Sequence, residues 1–258
     1  MKKTILAMFL VLASGVLAFG QDTLYISAKD INTSYLKEGT HRYLVYAKMS
    51  KTASRTFTQF WTRTIERTVL NGRRVIVVKQ EWEDKDTIMH TTKSVCDETS
   101  FRPITHDFWW KQRGAVNVDM EQKTVSMNGV VISETDTSKS KKAILSALHS
   151  CDDKFVLNWH LDLEVFPTLP FKKGLVISVP FYEPGFSTPL TNSVFTVTGN
   201  AILEGYNQQK IDCWLLTLEE KGNKEVFWIS KKTREVLKLE QEINGKVYRY
   251  KIKFGFSV

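Results

Sequence analysis

Residues 234–258 read REVLKLEQEINGKVYRYKIKFGFSV, and the way this stretch folds decides what the rest of the chain can be. In its second half every other residue is large and apolar: Tyr248, Tyr250, Ile252, Phe254 and Phe256, with Arg249, Lys251 and Lys253 between them. Successive strand side chains point to opposite faces, so this alternation predicts a β-strand with one apolar and one wet face. The first half alternates as well, with Leu237, Leu239 and Ile243 set against Lys238, Glu240 and Glu242. Asn244-Gly245 lies between the halves, and Asn-Gly accepts the positive φ angles of a two-residue type I′ turn. The expectation is a hairpin with its aromatics on the buried side. Register matters here, because a slip of one residue would carry every aromatic to the opposite face.

The same turn signal recurs upstream. Asn71-Gly72 divides RTIERTVL from RRVIVVKQEW, Asn128-Gly129 divides KTVSM from VVISE, and Lys221-Gly222-Asn223 divides KIDCWLLTL from KEVFWIS. Repeated hairpin signals predict an antiparallel meander of about ten or eleven strands. Helical spacing is confined to the middle. SKSKKAILSALHSC (138–151) carries Ile144, Leu145 and Leu148 on one side, and DKFVLNWHLDLEVF (153–166) carries Phe155, Trp159, Leu163 and Phe166 along a stripe before Pro167. Pro184, Gly185 and Pro189 mark an irregular loop over 183–191. The expected fold is mainly β: a single curved antiparallel sheet, a half-barrel, with one or two helices covering its concave face.

The chain has 258 residues, 42% hydrophobic and 25% charged, an ordinary globular balance. Its first twenty residues are expected to be a signal peptide. Lys2 and Lys3 form a positive start, Thr4 to Val16 is uncharged and mostly apolar, and Ala18-Phe19-Gly20 offers a cleavage site before Gln21. An uncleaved anchor is the competing reading, but the apolar run is short for a span. Cleavage would leave residues 21–258 as one exported domain, periplasmic or envelope-associated, with no membrane span. Loss of the two lysines lowers the formal charge from +8 to +6. The remaining basic residues are scattered among acids, which predicts a solvated outer face and no nucleic-acid partner.

Motifs for chemistry are weak. His149, Cys151, Asp152, Asp153 and His160 lie close in sequence without the spacing of a zinc site, and they read as a helix junction capped by Asp152 or Asp153. Ser138-x-x-Lys141 reads as a helix cap beside a basic turn. Neither a metal, a cofactor nor a catalytic residue is expected, and a hydrolase ranks last among the functions considered. Cys96, Cys151 and Cys213 are odd in number and far apart, and they show no disulfide framework. The seven tryptophans carry more weight. Most tryptophans fill cores, but Trp61, Trp82, Trp109, Trp159, Trp214 and Trp228, with Phe171 and Tyr250, are the candidate walls of an apolar ligand cavity.

The order FPTLPFKKGLVISVPFY, VTGNAILEG, DCWLLTLE and VFWISKKTREVLKLEQEINGKVYRYKI, preceded by EGTHRYLVYAK and CDETSFRPITHDF, resembles the bacterial envelope family called domain of unknown function 3108. The resemblance spans Glu38 to Phe254. It implies an outline similar to the LolA and LolB lipoprotein carriers: a curved sheet, helices as a lid and an apolar hollow. It implies no activity and no catalytic residue. The expected role is to bind or carry a lipid- or acyl-like molecule, with an envelope scaffold that meets a protein partner as the alternative.

Overall fold

The computed structural model describes residues 22–205 and 208–255, so the proposed signal peptide and Phe256 lie outside the described residues. In chain order the elements are β1 (Thr23–Tyr25), β2 (Gly39–Lys48), β3 (Arg55–Leu70), β4 (Arg73–Asp84), β5 (Thr87–Asp97), β6 (Pro103–Trp110), β7 (Gly114–Asp119), β8 (Thr124–Met127) and β9 (Val130–Val131). Then come α1 (Lys139–His149), β10 (Leu157–Asn158), α2 (Asp162–Thr168), β11 (Val176–Tyr182), β12 (Thr191–Glu204), β13 (Lys210–Glu220), β14 (Asn223–Ser230), β15 (Val236–Ile243) and β16 (Val247–Phe254).

All strands belong to one large, curved, unclosed sheet. From one edge it runs β1, then β11 through β16, then β2 through β9. Every pairing is antiparallel except those of β1 and β10, which lie parallel to β11. The final strand is therefore no edge: β16 is the seam between the two halves, pairing Tyr250 with Tyr46 of β2. The sixteen strands among the described residues exceed the ten or eleven expected. The additions include β1 and β10, of three and two residues, and β7, whose GAVNVD alternates only weakly.

Two of the expected turns form as read, and the third is one residue shorter than expected, with Asn223 opening β14. Leu70 pairs with Arg73, Met127 with Val130 and Glu220 with Asn223, so each loop holds two residues. Asn71, Asn128 and Lys221 all sit at φ 50°, each followed by a glycine of positive φ, as the primed turn demands.

The C-terminal hairpin departs from expectation. Lys246 N donates to Ile243 O at 3.0 Å, which closes a turn around Asn244 (φ 50°) and Gly245 (φ 64°). The ladder then resumes one residue late, at Ile243 opposite Val247. Lys246 is an extra residue, and it reverses the faces of β16. Leu239 faces Lys251 where a two-residue loop would have placed Tyr250. Lys251 and Lys253 are buried on the concave side, at 6% and 7% exposure, while Phe254 is 48% exposed. On the convex side Tyr250 stacks on Tyr46, with ring centroids 4.9 Å apart, and Phe254 stacks on Phe60 at 6.0 Å.

The helix α1 matches its expected span and buries Ile144, Leu145, Ala147 and Leu148. The following run does not form one long helix. Asn158 instead accepts a bond from His160 N at 2.9 Å and caps a 3-10 turn, Trp159–Leu161, which leads into the short α2. Pairing of Leu157 with Phe181 on β11 has claimed the segment upstream. Pro167 lies inside α2 rather than after it, and Asp152 and Asp153 cap neither helix.

Two cores divide the concave face. One gathers Val45, Ile65, Ile76, Val78, Phe195 and Phe227 beneath α2, every residue of which is buried. Phe166 of α2 packs against Phe181, Phe195 and Phe227 at centroid distances of 6.0, 5.0 and 4.4 Å. The other core packs α1 on Phe108, Val116, Val118 and Val125. No helix among the described residues is long and apolar enough to cross a membrane.

Candidate functional site

Between these cores the concave face changes character row by row. Its deepest continuous row joins Val78, Ser94, His106, Val118 and Val125 through direct strand pairing. Next comes Arg63, Gln80, Thr92 and Phe108. Above it lie Lys253, Tyr43, Trp61, Trp82, His90 and Trp110, and above those Lys251, Val45, Gln59 and Asp84. Polar side chains thus occur in every row, and the aromatic rings gather in the row of Tyr43, Trp61, Trp82 and Trp110.

The buried charges are held by α2 and its neighbours. Arg63 donates to Glu164 from Nε at 2.8 Å and from Nη2 at 2.5 Å, and Nη2 also reaches His160 O at 2.9 Å. Lys251 Nζ lies 2.9 Å from Asp162 Oδ2, and Lys253 pairs with Glu235. The two acids Asp162 and Glu164 thus fasten α2 to strands on either side of the seam. Pairing and hydrogen bonding of this kind offset the cost of burying charge.

At the mouth is an open cleft of about 500 Å³. One wall is an aromatic ladder built by strand register. Trp61 and Trp82 stack with centroids 3.8 Å apart and planes 6° from parallel. Trp110 meets Trp82 edge-on at 5.3 Å and stacks on His90 at 3.8 Å. Arg249 and Lys251 lie over Trp61, 5.1 and 4.8 Å from its centroid. The opposite wall is Trp159, His160, Asp162 and Glu183, and Phe57, Gln59 and Asp84 form the rim.

Three imidazoles cluster here, with His160 of the opposite wall 5.4 Å from His90 and 5.0 Å from His106. Burial pushes His90 down to about 4, against the smaller opposing effect of its Nδ1 bond to Trp109 O. Burial, reinforced by His90, pushes His106 down to about 3, and it holds His160 well below the ordinary value. All three are neutral at pH 7. Burial also raises the Glu183 carboxyl, which lies 3.8 Å from His160 Nδ1.

Polar atoms without a protein partner concentrate here. His160 Nδ1, Trp110 Nε1 and Arg249 Nε line or border the cleft. His90 Nε2, His106 Nε2 and Asn158 Nδ2 lie just behind it. Buried polar groups are nearly always satisfied, so a local cluster of exceptions marks a place where something other than the protein supplies partners.

Of the residues singled out from sequence, Trp61, Trp82 and Trp159 come together at the cleft. Trp109 is 37% exposed on the convex face. Trp228 donates to Glu240 at 2.9 Å beneath Lys238, on the same side as Tyr250. Phe171 and Trp214 stack on each other at 6.3 Å along the margin of the main core, away from the cleft. The reading from sequence missed Trp110, Arg63, Arg249, Lys251, Asp162 and His160. Trp110 was legible, because it shares strand parity with His106 and Phe108, both buried. Arg63 shares parity with Trp61 and Ile65, a charge on a core-facing stripe.

Cys96, Cys151 and Cys213 are all buried free thiols. Among the described residues no group of three or more His, Cys, Asp or Glu side chains is arranged to hold a metal ion. His149 pairs with Asp152 and Glu134 at the surface, apart from His160. A comparison with curated proteins finds no match to the chain. A family model described as protein of unknown function (DUF3108) matches residues 42–253, which takes in both halves of the sheet, both helices and all the strands that build the cleft, and the chain belongs to that family.

Proposed function

We propose that this is an exported cell-envelope protein that binds a small amphipathic molecule in the cleft between the aromatic ladder and α2. The observation that carries this reading is the concentration of partnerless buried polar atoms around a wall of stacked aromatics. Aromatic faces accept a flat apolar surface, and the unpaired donors accept a polar edge. A long acyl chain fits less well. It would lie against Arg249, Lys251 and Asp162 and remove their charges from water without replacing that solvation. The ligand is thus a compact molecule with one flat apolar face and polar groups at its border.

The test uses N-phenyl-1-naphthylamine, a neutral aromatic probe, titrated against the purified protein while tryptophan and probe fluorescence are followed. Saturable binding that Trp82→Ala weakens by about tenfold supports the proposal, the loss expected on removing one stacking surface of roughly 1–2 kcal/mol. Binding untouched by Trp82→Ala, or no binding of any amphiphile tried, would count against it. Export is tested separately by N-terminal sequencing of the protein recovered from cells, with Gln21 as the expected first residue.

A second reading, an envelope interaction module, has one observation behind it. Among the described residues no strand pairs with the outer edge of β9, and Val130 and Val131 are 62% and 61% exposed. Crosslinking to a partner that is lost on changing both valines to lysine would favour it.

A further inference from the structure

We infer that the ligand carries an anionic group and that Arg249 is the residue that receives it. This rests on the ligand-binding reading above and adds the sign and position of the ligand's charge. The other cations that project from the concave face of β3 and β16 each already hold a carboxylate: Arg63 with Glu164, Arg67 with Glu98, Lys251 with Asp162 and Lys253 with Glu235. Arg249 does not. Among the described residues no carboxylate comes within ion-pair distance of it, and its Nε is buried without a hydrogen-bond partner. Its guanidinium borders the cleft beside Trp61.

Two acids, Asp162 and Glu225, act on Arg249 without pairing with it. Asp162 accepts from Lys251 and from Leu163 N at 2.8 Å. Glu225 accepts from Gln241 Nε2 at 2.8 Å on Oε1 and has no hydrogen-bond partner at Oε2, and burial raises its carboxyl, which favours the uncharged form. Arg249 remains a cation whose charge is disfavoured by burial, more than Asp162 and Glu225 offset. A planar guanidinium in this state is suited to a carboxylate, sulfonate or phosphate, with which it forms two parallel, charge-assisted hydrogen bonds. Asp84 of β4 lies elsewhere on the cleft lining and would repel an anion there. The ligand's negative end is therefore directed to the β16 side, with its flat part along Trp82.

The experiment compares 8-anilinonaphthalene-1-sulfonate with N-phenyl-1-naphthylamine, which has the same rings without the sulfonate. Wild-type protein is expected to bind the sulfonate at least about tenfold more tightly, the factor a charge-assisted hydrogen bond provides. Arg249→Gln should abolish that preference, so that the sulfonate loses its advantage over the neutral probe, and an unchanged urea midpoint reports that the variant is still folded. Arg249→Lys should restore part of the preference, as a charge without the fork. Equal binding of the two probes by wild type, or equal weakening of both by Arg249→Gln, would overturn the anion assignment while leaving the ligand-binding reading intact. If neither probe binds wild type, both fall together.

Discussion

Replacing Lys251 by methionine tests the register on which the whole site depends. The substitution keeps the length of the stem and removes the ammonium. In the structure Lys251 is 6% exposed, and its Nζ is 2.9 Å from Asp162 Oδ2. Without it Asp162, also 6% exposed, keeps one backbone bond from Leu163 N and a 3.8 Å approach from Arg63 Nη2, which is already committed to Glu164. Removing one member of a buried ion pair costs about 3–5 kcal/mol, because the other charge is left in a poor solvent. The residual approach of Arg63 places the expectation near the lower end, about 3 kcal/mol. At roughly 2–4 °C per kcal/mol for a chain of this size, Tm should fall by about 6–12 °C.

Urea unfolding followed by tryptophan fluorescence, with calorimetry for Tm, measures both quantities. The double change Lys251→Met with Asp162→Leu should recover most of the loss, since an apolar pair of similar volume substitutes well for a buried ion pair. Tyr250→Ser, on the convex face, should cost only about 1 kcal/mol, the share lost from one half-exposed stacked ring. The opposite pattern would refute the reasoning. If Lys251→Met costs less than about 0.5 kcal/mol, as surface changes do, and Tyr250→Ser is severe, then the hairpin turns in two residues and the aromatics face the core.

Three further outcomes are expected. The neutral histidines make stability depend on pH: unfolding returns His90, His106 and His160 to a value near 6.5, so stability is full above that value and falls as pH drops toward the folded values of about 4 and about 3 for His90 and His106. Each adds a slope approaching 1.36 kcal/mol per pH unit in that window, and urea midpoints at pH 7, 6 and 5 should show His106→Gln with a shallower fall than wild type. Phe166→Ala removes a fully buried ring that meets three others and should cost about 3–5 kcal/mol by the same urea measurement. Gly185→Ala should lower stability by about 1–3 kcal/mol, because Gly185 sits at φ 83° and an added Cβ would come within 2.7 Å of Phe108 Cε1 and 2.9 Å of Val116 Cγ1. An unchanged calorimetric Tm would show that loop 183–191 does not pack on the second core as described.

The fold could be read from sequence because its signals are local. Asn71-Gly72 and Asn128-Gly129 set two-residue turns through their own φ preferences, and Ile144, Leu145 and Leu148 place α1 by spacing alone. The site depends on partners far away in the chain. Lys251 is buried because Asp162, 89 residues earlier, meets it, and Arg63 is buried because Glu164, 101 residues later, holds it with two bonds. No window of sequence contains either pair. The alternation in β16 is present in the sequence, but alternation fixes only that the faces differ, and a single additional loop residue, Lys246, decides which face points inward. Hydrophobicity favoured the aromatic face, and tertiary pairing overrode it.

That reversal also accounts for the existence of the cleft. With a two-residue turn, Tyr250 and Tyr248 would occupy the concave positions that Lys251 and Arg249 hold now, beside Trp61 and beneath the start of α2. Rings there would extend the aromatic ladder across the seam as solid core. They would also leave Asp162 without the ammonium that fastens α2 to β16. The chain instead places long, flexible cations on the seam and turns its aromatics outward, where Tyr46 and Phe60 stack on them. Buried ion pairs add little net stability over apolar packing, so their presence at the centre of a half-barrel is poorly explained by stability alone. They keep the mouth polar and fix the position of α2, and with Lys253, Lys251 and Arg63 paired, Arg249 is left as the unneutralised cation of β16 at its edge.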